Sequence, residues 1–223
     1  SIMDSSDLCS TGDLNWTSNS STDYDTDGCQ DSNEDTDDDN DSIMDSSDLC
    51  STGIQNWTSN SSTDYDTDGC QDSIEDTDDD NDSIMDSSDL CSTGDLSWTS
   101  NSSTDHDTDG CQDSNEDTDD DNDSIMDSSD LCSTGDLSWT SNSSTDYDTD
   151  GCQDSNEDND DDNDSIMDSF DLCSTGDLSW TSNSSTDHDT DGCQDSNEDL
   201  DDDNDSIMDS SDLCSTGDLN WTS

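Results

Sequence analysis

Asp23-Tyr24-Asp25-Thr26-Asp27-Gly28-Cys29-Gln30-Asp31-Ser32-Asn33-Glu34 is the stretch that decides how this chain folds. Carboxylates stand at positions 1, 3, 5, 9 and 12 of the twelve, with glycine at position 6. This is the ligand spacing of a 12-residue calcium loop, in which position 7 adds a backbone carbonyl and position 12 a bidentate carboxylate. Alternate residues of an extended turn point the same way, so Asp23, Asp25 and Asp27 converge on one ion. Gly28 supplies the sharp bend at little steric cost. The expected donors are Asp23, Asp25, Asp27, the Cys29 carbonyl, Asp31 and Glu34.

A second ladder begins three residues after the first ends: Asp37-Asp38-Asp39-Asn40-Asp41-Ser42-Ile43-Met44-Asp45-Ser46-Ser47-Asp48. Its expected ligands are Asp37, Asp39, Asp41, Asp45 and Asp48. Ser42 stands where glycine is expected, and a left-handed serine costs roughly 1 kcal/mol. The second loop is therefore expected to be the weaker or more distorted one.

The whole pattern returns every 41 residues, beginning at Ser1, Ser42, Ser83, Ser124, Ser165 and Ser206, without insertion or deletion. The organisation is five full repeats (1–41, 42–82, 83–123, 124–164 and 165–205) and a partial sixth, 206–223. A fixed register makes each copy one unit that contacts mainly its neighbours. The first ladder recurs as Asp64, Asp66, Asp68, Asp72 and Glu75, then as Asp105, Asp107, Asp109, Asp113 and Glu116. It continues as Asp146, Asp148, Asp150, Asp154 and Glu157, and ends as Asp187, Asp189, Asp191, Asp195 and Glu198. The second recurs as Asp78, Asp80, Asp82, Asp86 and Asp89, then as Asp119, Asp121, Asp123, Asp127 and Asp130. Its last copies are Asp160, Asp162, Asp164, Asp168 and Asp171, and Asp201, Asp203, Asp205, Asp209 and Asp212. The copies differ at Ile54, Gln55, Ile74, Ser97, His106, Ser138, Asn159, Phe170, Ser179, His188 and Leu200. None of these is a ligand position.

With 67 acidic residues and no Lys or Arg, the formal charge is −67. Such a polyanion has no cations with which to replace phosphate counterions, which excludes nucleic acid, and an anionic membrane surface repels it. No apolar run suits membrane insertion. A hard, oxygen-seeking cation is the simplest partner, and Ca2+ is the expected cofactor. Hydrophobic residues are only 21% of the chain, so burial alone cannot offset the backbone entropy of roughly 1–2 kcal/mol per residue. Metal, disulfides or both must hold the fold.

Eleven cysteines alternate at separations of 20 and 21 residues. Two per repeat indicate a disulfide framework in an oxidising compartment, since the close Cys pairs and His ligands of a zinc site are missing. The preferred register is Cys9–Cys29, Cys50–Cys70, Cys91–Cys111, Cys132–Cys152 and Cys173–Cys193. It clips the segment that has no metal; the other register, beginning Cys29–Cys50, spans a ladder that calcium already closes. Cys214 is left to pair beyond the last residue, and a chain that opens and closes in mid-repeat is expected to be part of a longer protein.

Only Asp35 and Thr36 separate the ladders, which leaves no room for the helices of an EF-hand. The chain resembles the thrombospondin type 3 repeat, whose D-x-D-x-D-G-x-x-D-x-x-(D/E) loops are punctuated by cysteine. Asp23 to Glu34 and Asp37 to Asp48 carry the resemblance, with Leu49-Cys50 following, over about 26 of each 41 residues. It implies a calcium-wrapped, disulfide-linked chain with little regular secondary structure, in secreted or cell-surface proteins, some loops holding two ions. The chain departs from that family in lacking proline, in Ser42, and in the extra segment Ser10 to Thr22.

That segment carries Trp16, repeated at Trp57, Trp98, Trp139, Trp180 and Trp221, expected to cover the disulfide or the next loop; a row of sugar-stacking or partner-binding rings is the alternative. Asn19-Ser20-Ser21 is an N-glycosylation acceptor that recurs at Asn60, Asn101, Asn142 and Asn183. Asn15, Asn56 and Asn220 head acceptors too, but Trp in the middle and loss to Ser in three copies argue against a required role. The Ser and Thr content also permits O-linked glycans. The only histidines, His106 and His188, occupy the slot of Tyr24, Tyr65 and Tyr147, which does not suit a general base, so no enzyme is expected.

The expected fold is an elongated, calcium- and disulfide-stabilised tandem-repeat rod or solenoid. The expected role is an extracellular or cell-surface stalk, adhesin shaft or fibril, with lateral or end-to-end self-association. The alternatives are a mineral-interacting or calcium-buffering polyanion without a fixed fold, and an adhesive or ice-binding face of Thr/Ser rows.

Overall fold

A computed structural model describes residues 2–3, 5–217 and 219, and among them there is no helix and no strand. Trp221 and Asn220 lie outside the described residues. The backbone is a succession of turns arranged in two compact units, Ser1–Asp117 and Thr118–Ser223. The boundary falls inside the third repeat, between its first and second ladders.

Two left-handed residues bend each ladder. In the first copy they are Thr26 (φ 65°) and Gly28 (φ 96°), and in the adjoining second ladder Asn40 (φ 63°) and Ser42 (φ 87°). Both ladders close on the same backbone bond from position 9 to the residue before position 1: Asp31 N to Thr22 O at 3.3 Å, and Asp45 N to Thr36 O at 3.0 Å. The corresponding acceptors later in the chain are the carbonyls of Asn159 and Leu200. Since only the backbone is used there, the side chain at that position is free to vary.

Five disulfides join Cys9–Cys29, Cys50–Cys70, Cys91–Cys111, Cys132–Cys152 and Cys173–Cys193, with Cα atoms 4.9–5.2 Å apart. Each bridge therefore encloses the segment between ladders together with the first six positions of the first ladder that follows it. Cross-links closing loops of this size contribute about 3 kcal/mol each, mainly through the unfolded state. Cys214 is free and exposed. Beside each bridge the residue before the first cysteine is pinned to the first ladder, as Leu49 N donates to Asp68 O at 2.8 Å.

The interior inverts the usual rule. Among the described residues, five half-cystines are the only buried hydrophobic residues, against twenty buried aspartates, so hydrophobic burial does not organise the core. Met44, Leu49, Leu90 and Phe170 all stay more than half exposed. Trp57, Trp98, Trp139 and Trp180 are half-buried. Trp16 lines a cleft of about 210 Å³ together with Cys9 and Gly28.

Candidate metal centres

Asp23, Asp25 and Asp27 each bring a carboxylate oxygen within 4.8 Å of the others, as do Asp37, Asp39 and Asp41, and Asp64, Asp66 and Asp68. Local hydrogen bonds hold these side chains inward. Asp25 Oδ1 accepts from Asp27 N at 3.0 Å and Asp27 Oδ1 from Cys29 N at 2.7 Å. The second ladder repeats the pattern, Asp39 Oδ1 with Asp41 N at 3.2 Å and Asp41 Oδ1 with Ile43 N at 2.7 Å. In later copies position 1 gathers the amides of positions 5 and 6: Asp64 accepts from Asp68 N and Gly69 N, and Asp201 from Asp205 N and Ser206 N. The second loop is thus no more distorted than the first, contrary to expectation, because Ser42 adopts the left-handed backbone that glycine would.

Positions 9 and 12 depart from the simple template. Asp31 Oδ1 accepts from Tyr24 N at 3.2 Å and Asp45 Oδ1 from Asp38 N at 2.8 Å, so position 9 gives one oxygen to closing its own loop. Glu75 Oε1 accepts from Ile54 N at 2.6 Å, so one oxygen of the position-12 carboxylate is also held by the backbone of the segment between ladders. Asp48 likewise gives Oδ1 to Cys50 N at 2.6 Å. The sulfur of Cys29 is in a disulfide, so only its carbonyl can serve a metal.

Buried oxygens without partners mark where a cation could be held. Both oxygens of Asp23, Asp37 Oδ1, Asp41 Oδ2, Asp48 Oδ2, and the Oε2 atoms of Glu34 and Glu75 are buried with no hydrogen-bond donor. The chain holds no Lys or Arg to pair with them. Buried charges are paired or coordinate metals, and an all-oxygen set suits a hard divalent cation. The residues present fit such an ion.

Electrostatics agree. Burial, reinforced by Asp27 and Asp35, pushes the Asp25 carboxyl up to about 6. Burial, reinforced by Asp39, Asp41 and Asp37, pushes Asp48 up to about 7. Asp48 therefore lies near Asp37, Asp39 and Asp41, three of the four other ligand-position acids of its ladder.

The template missed Asp35 and Asp38, which lie off the ligand positions. With Asp31 they form a further acid cluster, oxygens within 4.8 Å of one another, between the two ladders. Asp35 also groups with Asp27. Asp35 Oδ2 and Asp38 Oδ1 are buried without a donor, as are their counterparts in Asp76 and Asp79, Asp158 and Asp161, and Asp199 and Asp202. Burial, then Asp45, Asp31 and Asp35, pushes Asp38 up to about 7. The usable signal was that Asp35 and Asp38 recur in every full repeat although the surrounding residues vary.

Asn19 and its copies Asn60, Asn101, Asn142 and Asn183 are exposed. Asn19 also caps the turn that enters Asp23. Its Nδ2 donates to Thr17 O and Thr22 Oγ1, both at 2.9 Å, and its Oδ1 accepts from Ser21 N.

No protein-family model matches the chain, and no curated protein matches it. The repeated acid loops and disulfides are consistent with calcium-binding repeats on their own geometry. Among the described residues no helix is long and apolar enough to cross a membrane.

Proposed function

We propose that the chain is an extracellular, calcium-binding structural array that forms a stiff stalk, adhesin shaft or fibril, and that it is not an enzyme. The observation that carries this reading is the set of buried, donorless ladder oxygens in a protein without a single Lys or Arg. Two unit charges 4.8 Å apart repel by about 3.5 kcal/mol at an effective dielectric of 20, so each ladder needs a counter-ion to stay closed. Five disulfides suit an oxidising environment, where calcium is plentiful. Loops of this kind work there at about 10⁻⁴–10⁻³ M.

Ten divalent ions, one for each complete ladder, take the formal charge from −67 to −47. The residual charge opposes collapse of one repeat onto a distant one and keeps the array extended. The thrombospondin type 3 resemblance supports the same reading. Glycans on the exposed Asn19 series belong to the proposal, each replacing one hydrogen bond of the capping amide, as does lateral or end-to-end association into fibrils.

A mineral-interacting polyanion without a fixed fold is the competing reading, and alternating disulfides with inward-held carboxylates favour the array. Small-angle scattering with and without calcium separates them. The array should stiffen cooperatively, with changes that saturate at a fixed number of ions per repeat. A gradual contraction without saturation would contradict it.

A further inference from the structure

We propose that the ring at position 2 of the first ladder, at Tyr24, Tyr65, Tyr147 and His188, is a positioning residue that couples cation binding between neighbouring repeats. The inference rests on the calcium-loop reading and concerns how the loops communicate. Tyr24 Oη donates to Gly53 O at 2.9 Å, Tyr65 Oη to Gly94 O at 2.9 Å, and Tyr147 Oη to Gly176 O at 2.9 Å. His188 Nε2 reaches Gly217 O at 3.2 Å. In each case the acceptor belongs to the next repeat.

The accepting turn is a junction of three ladders. Gly53 N donates to Asp39 Oδ2 at 2.9 Å, in the second ladder of the repeat that supplies Tyr24. The next amide, Ile54 N, donates to Glu75 Oε1 at 2.6 Å, in the first ladder of the following repeat. The arrangement recurs around Gly94 and Gly176. No side chain fits at the junction: a Cβ on Gly53 would stand 2.7 Å from Cys50 O and from Glu75 Oε1.

Tyr24 lies between the ligands Asp23 and Asp25, and its amide is held by Asp31 Oδ1. Closing the first ladder on an ion therefore fixes the ring, and the ring fixes the Gly53 peptide. That peptide holds the carboxylates of Asp39 and Glu75, which are ligand positions of two more ladders. Coupling of this kind is reciprocal: each filled ladder favours the others.

The variation among repeats supports this. The slot holds Tyr24, Tyr65, His106, Tyr147 and His188, and never Phe. Tyrosine and histidine share little except a donor at the far end of a flat ring. A packing role would admit phenylalanine; a donor role would not.

The test is calcium binding by equilibrium dialysis on the full chain with disulfides intact. The parent should show a Hill coefficient well above 1. Replacing Tyr24, Tyr65 and Tyr147 together by Phe should bring it towards 1, with the ion count unchanged and half-saturation moved to about fivefold higher calcium. The matching triple Tyr→His variant should keep the parent's slope. A parent slope of 1, a Phe variant with the parent's slope, or a Phe variant that loses ions would each overturn the coupling. A parent that binds no fixed number of ions would instead sink the calcium-loop reading, and the coupling with it.

Discussion

At position 6 the first ladder carries a buried glycine, Gly69 at φ 90°, and the second an exposed serine, Ser83 at φ 86°. The backbone is the same; the surroundings are not. A Cβ on Gly69 would lie 2.1 Å from Asp48 Oδ1, because the closing carboxylate of the preceding second ladder rests on this glycine. Position 4 shows the opposite bias: the second ladder has Asn81 at φ 57°, well suited to left-handed backbone, and the first has the β-branched Thr67 at φ 64°. Each ladder thus carries one well-suited and one strained residue. Glycine is required where another loop crosses over it, not simply where φ is positive.

The largest effect should come from removing what the two ladders share. Chelation should abolish amide protection at position 7 of both, at Cys70 N and Ile84 N, in hydrogen exchange. Both amides are held only by ladder carboxylates, Asp68 and Asp82. One ladder staying protected in chelator would break the equivalence.

Acid should act next. Burial raises Asp25 to about 6 and both Asp38 and Asp48 to about 7, so protons compete with cations as pH falls through 7 to 5. Bound calcium should drop over that window in both ladders. Without metal the sign reverses. These folded-state values lie above the ordinary aspartate value of 3.8, so their stabilising contribution is complete below about 3.8 and lost as pH rises through 6–7. Metal-free chain should therefore scatter as a more compact particle at pH 4 than at pH 7.5.

Substitution at position 6 should separate the ladders. Gly69→Ala is expected to cost roughly 1–2 kcal/mol for the left-handed backbone alone, and to displace Asp48 as well. It should therefore weaken two ion sites, its own and the preceding one. Ser83→Gly should leave the ion count intact and raise stability by up to about 1 kcal/mol. Equal effects of the two changes in thermal unfolding would remove the distinction drawn from the crossing carboxylate. The smallest effect is expected from Thr67→Asn, a gain below about 1 kcal/mol at unchanged stoichiometry.

The ladders and the disulfides were legible in the sequence because both are set by spacing along the chain. Asp23, Asp25 and Asp27 converge through turns two residues long, and Cys9–Cys29 ties the segment between ladders, Ser10 to Thr22, to the first ladder. What spacing could not convey was anything decided between loops. Asp35 and Asp38 fall outside the template, yet they join Asp31 where the two ladders meet. The exchange of Tyr24 for histidine in other copies was visible in the sequence, but its donor role needs Gly53, 29 residues away in the next repeat. Nor could composition show that the leucines and methionines stay outside while carboxylates fill the interior, since that order reverses ordinary burial.

If every complete ladder is an ion site, native mass spectrometry of the disulfide-intact chain in saturating calcium can count the sites. At least ten bound ions per chain are predicted, retained together and lost together as calcium is withdrawn. A saturated species with fewer than ten would contradict that reading of the ladders.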